Sequence, residues 1–487
     1  MISRDEPNWS DLSGEILHLI SNRVTKMKDF IRLQAVCNPW RRALAQSRFS
    51  QSIPWLMLPY CRNSIVNNDT CAAAVGCKNT EYCRCLYDLE EKRFQHIELP
   101  QGLNKTGRGS AFGWLFMMES SPSLVLLNPF TKCQIPLPPA TGFPNVLEFR
   151  SESVGREYLH LDFEGLQVTW GKKEFESNYI DRVCLSAEPT SEDSVVMVIP
   201  SLVGTLVFCK VNGDQKWTLI PGGNDVDLPK QIHFLDVVFW RGQFYALSQD
   251  EKVYVCDLSL PHCPTLSLFL DGHKLLDVKG SKYYLLTSSN HNELMMVNRY
   301  VRDPDDKDDD DDDNDNNDDD EWTDDDDYDD DDYDEDVSEL DPHDEVHHSN
   351  IDNESDDDDQ LATDGRRQQR EYVRESQLLT CEFKVFVAKE DKKGWDEVDS
   401  IGNFALFLGS NTATWISITE HPELASNSIY FTDDKIEVDC ERKHAGADMG
   451  VYNLTTRTIN RFYSTPSVHK NPSLILPLPL WISPSNY

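Results

Sequence analysis

Cysteines are the residues of this chain whose types and spacing come nearest to metal chemistry. Cys71, Cys77, Cys83 and Cys85 lie within fifteen residues, in the pattern C-x5-C-x5-C-x-C. Structural zinc sites usually take ligands from C-x2–4-C pairs, and two cysteines separated by one residue are poorly placed for tetrahedral coordination. The pattern therefore favours buried or unused thiols over zinc, and we expect neither a metal nor a cofactor.

Sequence motifs for nucleophilic or phosphate chemistry are missing. The chain contains no G-x-x-x-x-G-K-[ST], no G-x-S-x-G, no H-E-x-x-H and no C-x-x-C. His347 and His348 lie inside an acidic tract that gives them no scaffold. A catalytic group assembled by the fold stays open, because triads need not be local in sequence. The sequence nevertheless favours a non-catalytic protein.

The acidic residues are concentrated in one segment. The formal net charge is −39, and Asp303 to Asp359 hold 35 acidic residues and one lysine. So many like charges cannot pack together, so we expect this segment to be disordered. An EF-hand loop would need a glycine at its sixth position, and no glycine occurs between Gly280 and Gly365. A solvating spacer is favoured over a binding site for a specific basic partner, and the nearly balanced remainder does not indicate nucleic-acid binding.

Cysteine content and hydropathy bear on the cellular compartment. The chain has 13 cysteines in 487 residues, which is too sparse for a disulfide framework. No apolar N-terminal run follows a basic stretch, and no stretch approaches the roughly 20 apolar residues of a membrane span. We therefore expect an intracellular protein, in the nucleus or the cytoplasm, with free thiols and no membrane partner.

The N-terminal fifty residues have the spacing of a small helical unit. Asp29 is placed to cap a second short helix, and Asn38-Pro39 has the sequence of a helix start. Three helices this short bury too little surface to be stable alone, so apolar side chains left outside would need a partner protein. The first helix is predicted by apolar residues that recur every four positions, at Leu12, Ile16, Ile20 and Val24.

Three blocks within Asn8 to Leu44 carry a recognisable pattern. They are Trp9-x-x-Leu12-Ser13-x-Glu15-Ile16-Leu17-x-x-Ile20, Lys28-Asp29-Phe30-x-x-Leu33 and Val36-Cys37-x-x-Trp40-Arg41. This pattern resembles an F-box, although the family usually has proline where this chain has Ser13. The resemblance implies docking on a Skp-type adaptor and, through it, on a cullin–RING ubiquitin ligase; a plain helical cap on the next domain is the alternative. The expected adaptor-binding residues, some of which must instead form the small core, are Leu12, Ser13, Ile16, Leu17, Ile20, Phe30, Leu33 and Trp40.

From Leu86 onward, short apolar runs are separated by turn residues. Between Asp236 and Asp257 two tight turns separate three such runs, which predicts three antiparallel strands. Many short strands at close spacing predict a sandwich, a barrel or a propeller. Roughly 380 residues lie outside the helical unit and the acidic tract, more than a sandwich needs. At about 40–50 residues per blade, this length favours a β-propeller of about six to eight blades.

Several blocks of this β-rich region match one group of proteins in the same order along the chain. They are Phe112–Leu115, Leu126–Thr131, Ile135–Pro139, Tyr284–Leu286, Gly394–Val398, Ile401–Gly409, Asn427–Asp434, Gly450–Leu454 and Pro477–Trp481. The blocks resemble the plant F-box proteins with a C-terminal KIB-type β-propeller domain. The resemblance covers nearly all of the chain after the helical unit, and the acidic insert departs from it.

These observations predict the fold class and the domain order. We expect a small all-α F-box of three helices at residues 1–50, followed by a mainly-β propeller at 51–302 and 362–487. A long disordered Asp-rich insert at 303–361 interrupts it. The flanking runs Glu293–Val301 and Thr380–Val387 are expected to pair as a hairpin. Because closure entropy grows only with the logarithm of loop length, the fold can tolerate such an insert.

The two resemblances together imply the substrate-recognition subunit of a Skp–cullin–F-box E3 ubiquitin ligase. The F-box would bind the adaptor and the propeller would bind an unidentified target protein, while other subunits supply ubiquitin. The alternative is an acidic interaction protein that binds basic nuclear partners through the Asp-rich tract. A third hypothesis is a propeller hydrolase, which a central pocket lined by ionisable side chains would favour.

Overall fold

The structure of the chain is a computed structural model. It describes residues 9–21, 23–24, 29, 32–33, 35–44, 53–58, 83–100, 106–118, 122–152, 157–162, 164–201, 203–222, 232–260, 263–272, 282–290, 292–302, 379–389, 391, 393–434, 448–462 and 479–483. The predicted acidic insert lies outside the described residues.

Helices are few in the described part of the chain. They are α1 (Gly14–Ser21), α2 (Asn38–Leu44) and α3 (Lys172–Asn178), with 3-10 turns at Trp9–Asp11 and Ala140–Gly142. α1 begins after Ser13, whose Oγ accepts a hydrogen bond from the Ile16 N–H at 3.4 Å. α1 and α2 lie in the stretch for which three helices are predicted, and the predicted second helix is described only in part.

Strands dominate the described residues and form seven sheets, numbered here in chain order. Sheet 1 contains β1 (Trp55–Leu58), β2 (Cys83–Asp88), β3 (Arg93–Glu98) and the last strand, β28 (Leu480–Ile482). Sheet 2 contains β4 (Thr106–Ala111), β5 (Trp114–Met118), β6 (Leu124–Leu127) and β7 (Gln134–Leu137). Sheet 3 has three strands, β8 (Val146–Arg150), β9 (Glu157–Leu161) and β10 (Gln167–Gly171).

The remaining sheets follow in the same manner. Sheet 4 contains β11 (Ile180–Leu185), β12 (Val195–Pro200), β13 (Leu206–Lys210) and β14 (Thr218–Ile220). Sheet 5 contains β15 (Phe234–Trp240), β16 (Gln243–Ser248), β17 (Val253–Asp257) and β18 (Thr265–Leu270). Sheet 6 contains β19 (Lys282–Thr287), β20 (Leu294–Arg302), β21 (Leu379–Ala388) and β22 (Trp395–Val398). Sheet 7 contains β23 (Phe404–Leu408), β24 (Thr414–Ser417), β25 (Ser428–Phe431), β26 (Gly450–Asn453) and β27 (Thr458–Arg461).

Two strand pairings depart from a simple meander. In sheet 1, β1 pairs with β28, so that Leu56 lies opposite Trp481 and the two ends of the described chain share one sheet. In sheet 7 the strand order is β24-β23-β25-β26-β27, and β23 pairs with β25 in parallel. The other sheets are built from antiparallel neighbours in sequence order, as short runs joined by tight turns predict.

The hairpins predicted from sequence are confirmed at two places. β15, β16 and β17 pair antiparallel, and the turn between the first two has φ of +49° at Arg241 and +82° at Gly242. Two successive positive φ angles are typical of a type I′ hairpin turn, and the glycine adopts its angle without strain. β20 and β21, which flank the insert, also pair antiparallel, with Arg302 opposite Leu379.

Six of these sheets contact one another in a ring in the order 1, 2, 4, 5, 6, 7 and back to 1. Apolar side chains of successive sheets form shared cores. β4 and β11, which we call the inner strands of sheets 2 and 4, meet at Gly109. A Cβ at this position would lie 3.5 Å from the Val183 Cβ and 3.0 Å from the Ser410 carbonyl oxygen. Sheet 7 meets sheet 1 where the rings of Phe407 and Trp481 pack edge to face, 5.0 Å apart. Sheet 3 shares the core of sheets 2 and 4 without separating their inner strands.

Candidate functional site

The helical unit at the N-terminus has a small core of its own. Leu17, Trp40 and Leu44 are buried together, and Leu12 and Leu33 pack against them while partly buried. The Trp40 indole N–H donates a hydrogen bond of 2.9 Å to the Trp9 carbonyl oxygen, which ties α2 to the turn before α1. Within the described residues of the unit, this core has three buried side chains.

A second set of apolar side chains in this unit points to solvent. Ile16 and Ile20 are 49% and 37% exposed, and their four-residue spacing places them on one side of α1. Among the described residues of the unit, Trp9, Leu19 and Val36 are exposed apolar side chains as well. We call Ile16 and Ile20 the exposed apolar face. Apolar side chains left in solvent on one side of so small a unit suit a protein–protein contact.

The structure thus divides the predicted adaptor-binding residues. Leu17 and Trp40 lie in the core of the helical unit and Leu12 and Leu33 at its edge. Ser13, Ile16 and Ile20 are exposed. Phe30 lies outside the described residues.

A buried arginine joins sheets 6 and 7 within the ring. Arg299, in the apolar strand β20, has no exposed surface. Its Nη1 lies 2.9 Å from the Asp434 carboxylate, its Nη2 lies 3.0 Å from that of Asp448, and its Nε donates to the Thr380 hydroxyl at 2.7 Å. Asp448 also accepts from Arg461 at 2.6 Å. Because these buried charges are paired and hydrogen-bonded, they fix the position of sheet 6 relative to sheet 7 more strictly than apolar packing alone would.

The acid at the centre of this network stays ionised. Burial alone would raise the pKa of the Asp434 carboxyl, but the positive charges of Lys282, Arg182 and Arg299 outweigh burial and lower it to about 2. Its Oδ1 also accepts a hydrogen bond of 3.1 Å from the Tyr284 hydroxyl. Asp434 is therefore a carboxylate throughout the physiological pH range and links strands of three different sheets.

A second acid lies beside Arg182 on the next pair of sheets. Both oxygens of Asp236 accept backbone N–H bonds of 2.8 Å, one from Val237 and one from Leu285. The Arg182 Nε lies 3.6 Å from Asp236 Oδ1, and its Nη1 donates to the Gly409 carbonyl oxygen at 2.7 Å. Burial raises the pKa of the Asp236 carboxyl, while Arg182 and the two N–H groups oppose that shift.

A cavity of about 340 Å³ lies against this pair, between sheets 4, 5, 6 and 7. Its buried end is formed by Arg182, Asp236 and Tyr284, and its partly exposed end by Asn411 and Trp415. The volume is at the lower end of the range for small-molecule sites. The remaining lining residues are mostly apolar or hydroxyl-bearing: Val183, Val237, Val238, Phe239, Leu285, Leu286, Thr287, Ser289, Phe404, Ser410, Thr412, Ala413 and Thr414.

Sequence reasoning missed the charged residues of the ring. Asp434 ends the block Asn427–Asp434, which from sequence carries only the resemblance to the KIB-type propeller. Two signals could have found these residues: Arg299 interrupts the run Leu294–Val301, and Asp433 and Asp434 follow one residue after the end of β25. A charged residue inside a run that is buried on both faces must have a partner of opposite charge. Arg182 and Asp236 belong to no local motif, because strands distant in sequence bring them together.

The described residues offer neither a metal site nor a membrane-spanning helix. No group of three or more histidine, cysteine or acidic side chains there could hold a metal ion. Cys85 is buried in β2, and of the other members of the cysteine quartet Cys71 and Cys77 lie outside the described part. No described helix is long and apolar enough to cross a membrane.

The repeated four-stranded sheets define a mainly-β protein of the β-propeller type, and comparison with known families agrees. Residues 86–453 match the family model described as the KIB1-4 beta-propeller. This match covers most of the chain, and the chain belongs to the KIB1-4 β-propeller family. Its relatives specify the subgroup further: it is a plant F-box protein with a KIB-type propeller.

Three relatives from Arabidopsis thaliana illustrate the similarity. The chain is 22% identical to the F-box protein At2g26160 over 88% of this chain and 97% of that protein. It is 21% identical to the F-box protein SKIP23 over 98% of this chain and 96% of that protein. Identity to the F-box/kelch-repeat protein At1g57790 is 27%, over 59% of this chain and 70% of that protein.

A solved structure of another protein is only distantly similar. The dihydro-heme d1 dehydrogenase NirN in complex with DHE matches with a TM-score of 0.23 at 11% identity, over 50% of this chain and 40% of that one. A likeness this low supports neither a shared function nor a shared site.

Proposed function

We propose that this protein is the substrate-recognition subunit of a Skp–cullin–F-box E3 ubiquitin ligase. The observation that carries the proposal is the exposed apolar face of the helical unit, in a chain whose relatives are F-box proteins. Ile16 and Ile20 present branched apolar side chains to solvent from the same side of α1. Because about half or less of each side chain remains exposed, burying it in an interface would contribute about 1 kcal/mol per isoleucine.

The proposed mechanism is proximity without catalysis by this chain. The helical unit binds the Skp-type adaptor, which recruits the cullin, and the β-propeller binds a target protein that then receives ubiquitin from other subunits. An intracellular location, in the nucleus or the cytoplasm, is part of this proposal because the ligase would assemble there. We further take each of the six sheets of the ring as one blade, with sheet 3 packed outside it, since the inner strands of sheets 2 and 4 touch at Gly109.

The hydrolase hypothesis finds less support in the cavity. Its described lining contains ionisable side chains, but no histidine or cysteine among them. Asp236 is the acid that could act as a base, and both of its oxygens already accept backbone hydrogen bonds. A serine or threonine of the lining would have to use this carboxylate, which is already hydrogen-bonded and lies beside Arg182, as its base.

Affinity purification with and without residues 1–50 tests the ligase proposal. We expect adaptor and cullin to be recovered with the full chain and lost, to at least tenfold lower yield, without the helical unit. The measurement is quantitative mass spectrometry of the purified complexes. Equal recovery from both forms would contradict the proposal.

Deletion of residues 303–359 separates this proposal from the rival in which the acidic tract binds basic nuclear partners. Because Arg302 and Leu379 lie opposite each other in one hairpin, shortening the connection leaves the sheet paired. We expect affinity for the purified adaptor to change less than twofold, measured by calorimetry. Loss of basic partners together with unchanged adaptor yield would show that the tract has an additional role, whereas loss of the adaptor would contradict our proposal.

A further inference from the structure

The buried end of the cavity between sheets 4, 5, 6 and 7 is balanced in charge. Arg182 lines it, is 4% exposed, and lies 3.6 Å from the Asp236 carboxylate and 3.5 Å from that of Asp434. Asp434 is in turn paired with Arg299 at 2.9 Å. An anion that entered this end would find the Arg182 charge already neutralised and would lose its hydration without compensation, so the cavity suits an uncharged ligand.

Hydrogen bonds at the same end are incomplete. Of the Arg182 nitrogens, Nη1 donates to the Gly409 carbonyl oxygen at 2.7 Å, while Nε and Nη2 make no hydrogen bond within the described part of the chain. Each Asp236 oxygen accepts one backbone N–H, from Val237 and from Leu285, although a carboxylate oxygen has two lone pairs. The cavity thus presents an unused donor beside an acceptor with spare lone pairs, and a charged donor is costly to leave buried without a hydrogen bond.

The Arg182 guanidinium is fixed in position rather than free to turn toward another acceptor. Nη1 is anchored by the Gly409 carbonyl oxygen, and Cζ lies 4.9 Å from the centre of the Tyr284 ring. The Tyr284 hydroxyl is itself used, because it donates to Asp434 at 3.1 Å. A buried donor held in this way needs an acceptor brought to it, which a ligand in the cavity can supply.

We propose that this cavity binds a small uncharged molecule that carries a primary amide on a planar apolar body. The amide oxygen accepts a hydrogen bond from Arg182 Nη2, and the amide N–H donates to a remaining lone pair of Asp236. A primary amide suits this pair of side chains because it places an acceptor and a donor side by side without adding charge. The site uses no residue of the helical unit, so it is independent of the ligase function proposed above.

The walls of the cavity match the body of such a ligand. They include the Phe239 and Phe404 rings and the Trp415 indole, whose N–H already donates to the Thr287 carbonyl oxygen at 2.6 Å. These side chains therefore offer apolar surface to a planar ring rather than a further polar contact. At the partly exposed end, Asn411 Oδ1 makes no hydrogen bond within the described residues, so it is left to accept from a polar group on the outer part of the ligand.

The test titrates benzamide against the full chain by saturation-transfer NMR, with benzoate and acetophenone as controls of nearly the same shape. Benzoate replaces the neutral amide by a charge, and acetophenone keeps the carbonyl oxygen but has no N–H. We expect benzamide to bind, benzoate to bind at least about tenfold more weakly because its charge is not compensated, and acetophenone at least about fivefold more weakly because one hydrogen bond is lost. Binding of either control as tight as that of benzamide would overturn the proposal. So would the absence of saturation transfer to benzamide at 10 mM, roughly the weakest affinity expected for a compound this small.

Two variants locate the probe. Arg182→Met should weaken benzamide binding about tenfold, the loss expected for a hydrogen bond to a charged group. Ser289→Trp, in a turn at the partly exposed end, should block the cavity without touching Arg182, and it decides the question if the first variant does not fold. Benzamide affinity that stays within about twofold of wild type in either variant, once circular dichroism shows that it is folded, would place the probe elsewhere and overturn the assignment.

Discussion

Replacing both Ile16 and Ile20 by aspartate is expected to weaken binding of the purified Skp-type adaptor by at least a hundredfold. Each isoleucine, of which about half or less is exposed, would lose about 1 kcal/mol of apolar burial, and desolvating each new carboxylate in an apolar groove would cost about 1–3 kcal/mol more. Because a factor of ten corresponds to about 1.4 kcal/mol, the two changes together exceed a hundredfold. Isothermal titration calorimetry with the full chain measures the effect.

The exposure of these side chains makes the experiment interpretable. Ile16 and Ile20 are outside the core of Leu17, Trp40 and Leu44, so their replacement should leave the helical unit folded, which circular dichroism checks. The matched control is Leu166→Asp with Leu260→Asp, two apolar side chains of the β domain that are 58% and 68% exposed. We expect the control to bind the adaptor with unchanged affinity. If the α1 variant binds as tightly as wild type, the exposed apolar face is not the adaptor site.

Replacing Arg299 by methionine is expected to lower the free energy of unfolding by about 3–5 kcal/mol. The substitution removes a guanidinium that has no exposed surface and leaves the carboxylates of Asp434 and Asp448 buried without their shared partner. Urea-induced unfolding followed by tryptophan fluorescence measures the loss. The Arg299→Lys protein should have a free energy of unfolding between those of the wild type and of Arg299→Met. One ammonium cannot bridge both carboxylates as the planar guanidinium does.

The same substitution at the surface provides the control for Arg299. Arg150 pairs with Glu148 at 3.0 Å, a distance similar to those in the buried network, but its side chain is 41% exposed. Surface ion pairs contribute about 1 kcal/mol or less, so Arg150→Met should change the unfolding free energy by no more than that. Equal losses for the two variants would show that the buried network does not hold sheets 6 and 7 together.

The parts of the fold that sequence predicts are those made by neighbours in the chain. The hairpins of sheet 5 and the pairing of β20 with β21 follow from apolar alternation and turn residues, and both are present. The parallel pairing of β23 with β25 and the pairing of β1 with β28 are not predicted, because no local pattern specifies a partner that far away. Periodicity alone also could not separate Leu17, which is buried, from Ile16, which is exposed, since both belong to the same apolar helix.

For the candidate sites too, sequence predicts the local stretch but not the contacts between residues that are far apart in the chain. The resemblance to an F-box predicts which stretch would meet an adaptor, yet only the three-dimensional structure separates its buried core from its exposed side chains. Arg182 and Asp236 come from different sheets and have no spacing signature, so the cavity that they line could not be inferred from the chain. Arg299 was accessible in principle, because an arginine in a continuous apolar run requires a buried acid elsewhere.

The shared sheet of the first and last strands sets the order of events during synthesis. β1 cannot find β28 until residue 482 has left the ribosome, whereas the helical unit emerges more than 400 residues earlier. At about 5–20 residues per second, the interval is roughly 20 to 90 seconds. During that time the helical unit is available while the ring is still open. Under the proposed function, a nascent chain can therefore join an adaptor before it is able to hold a target, so the two binding events are separated in time by the topology of one sheet.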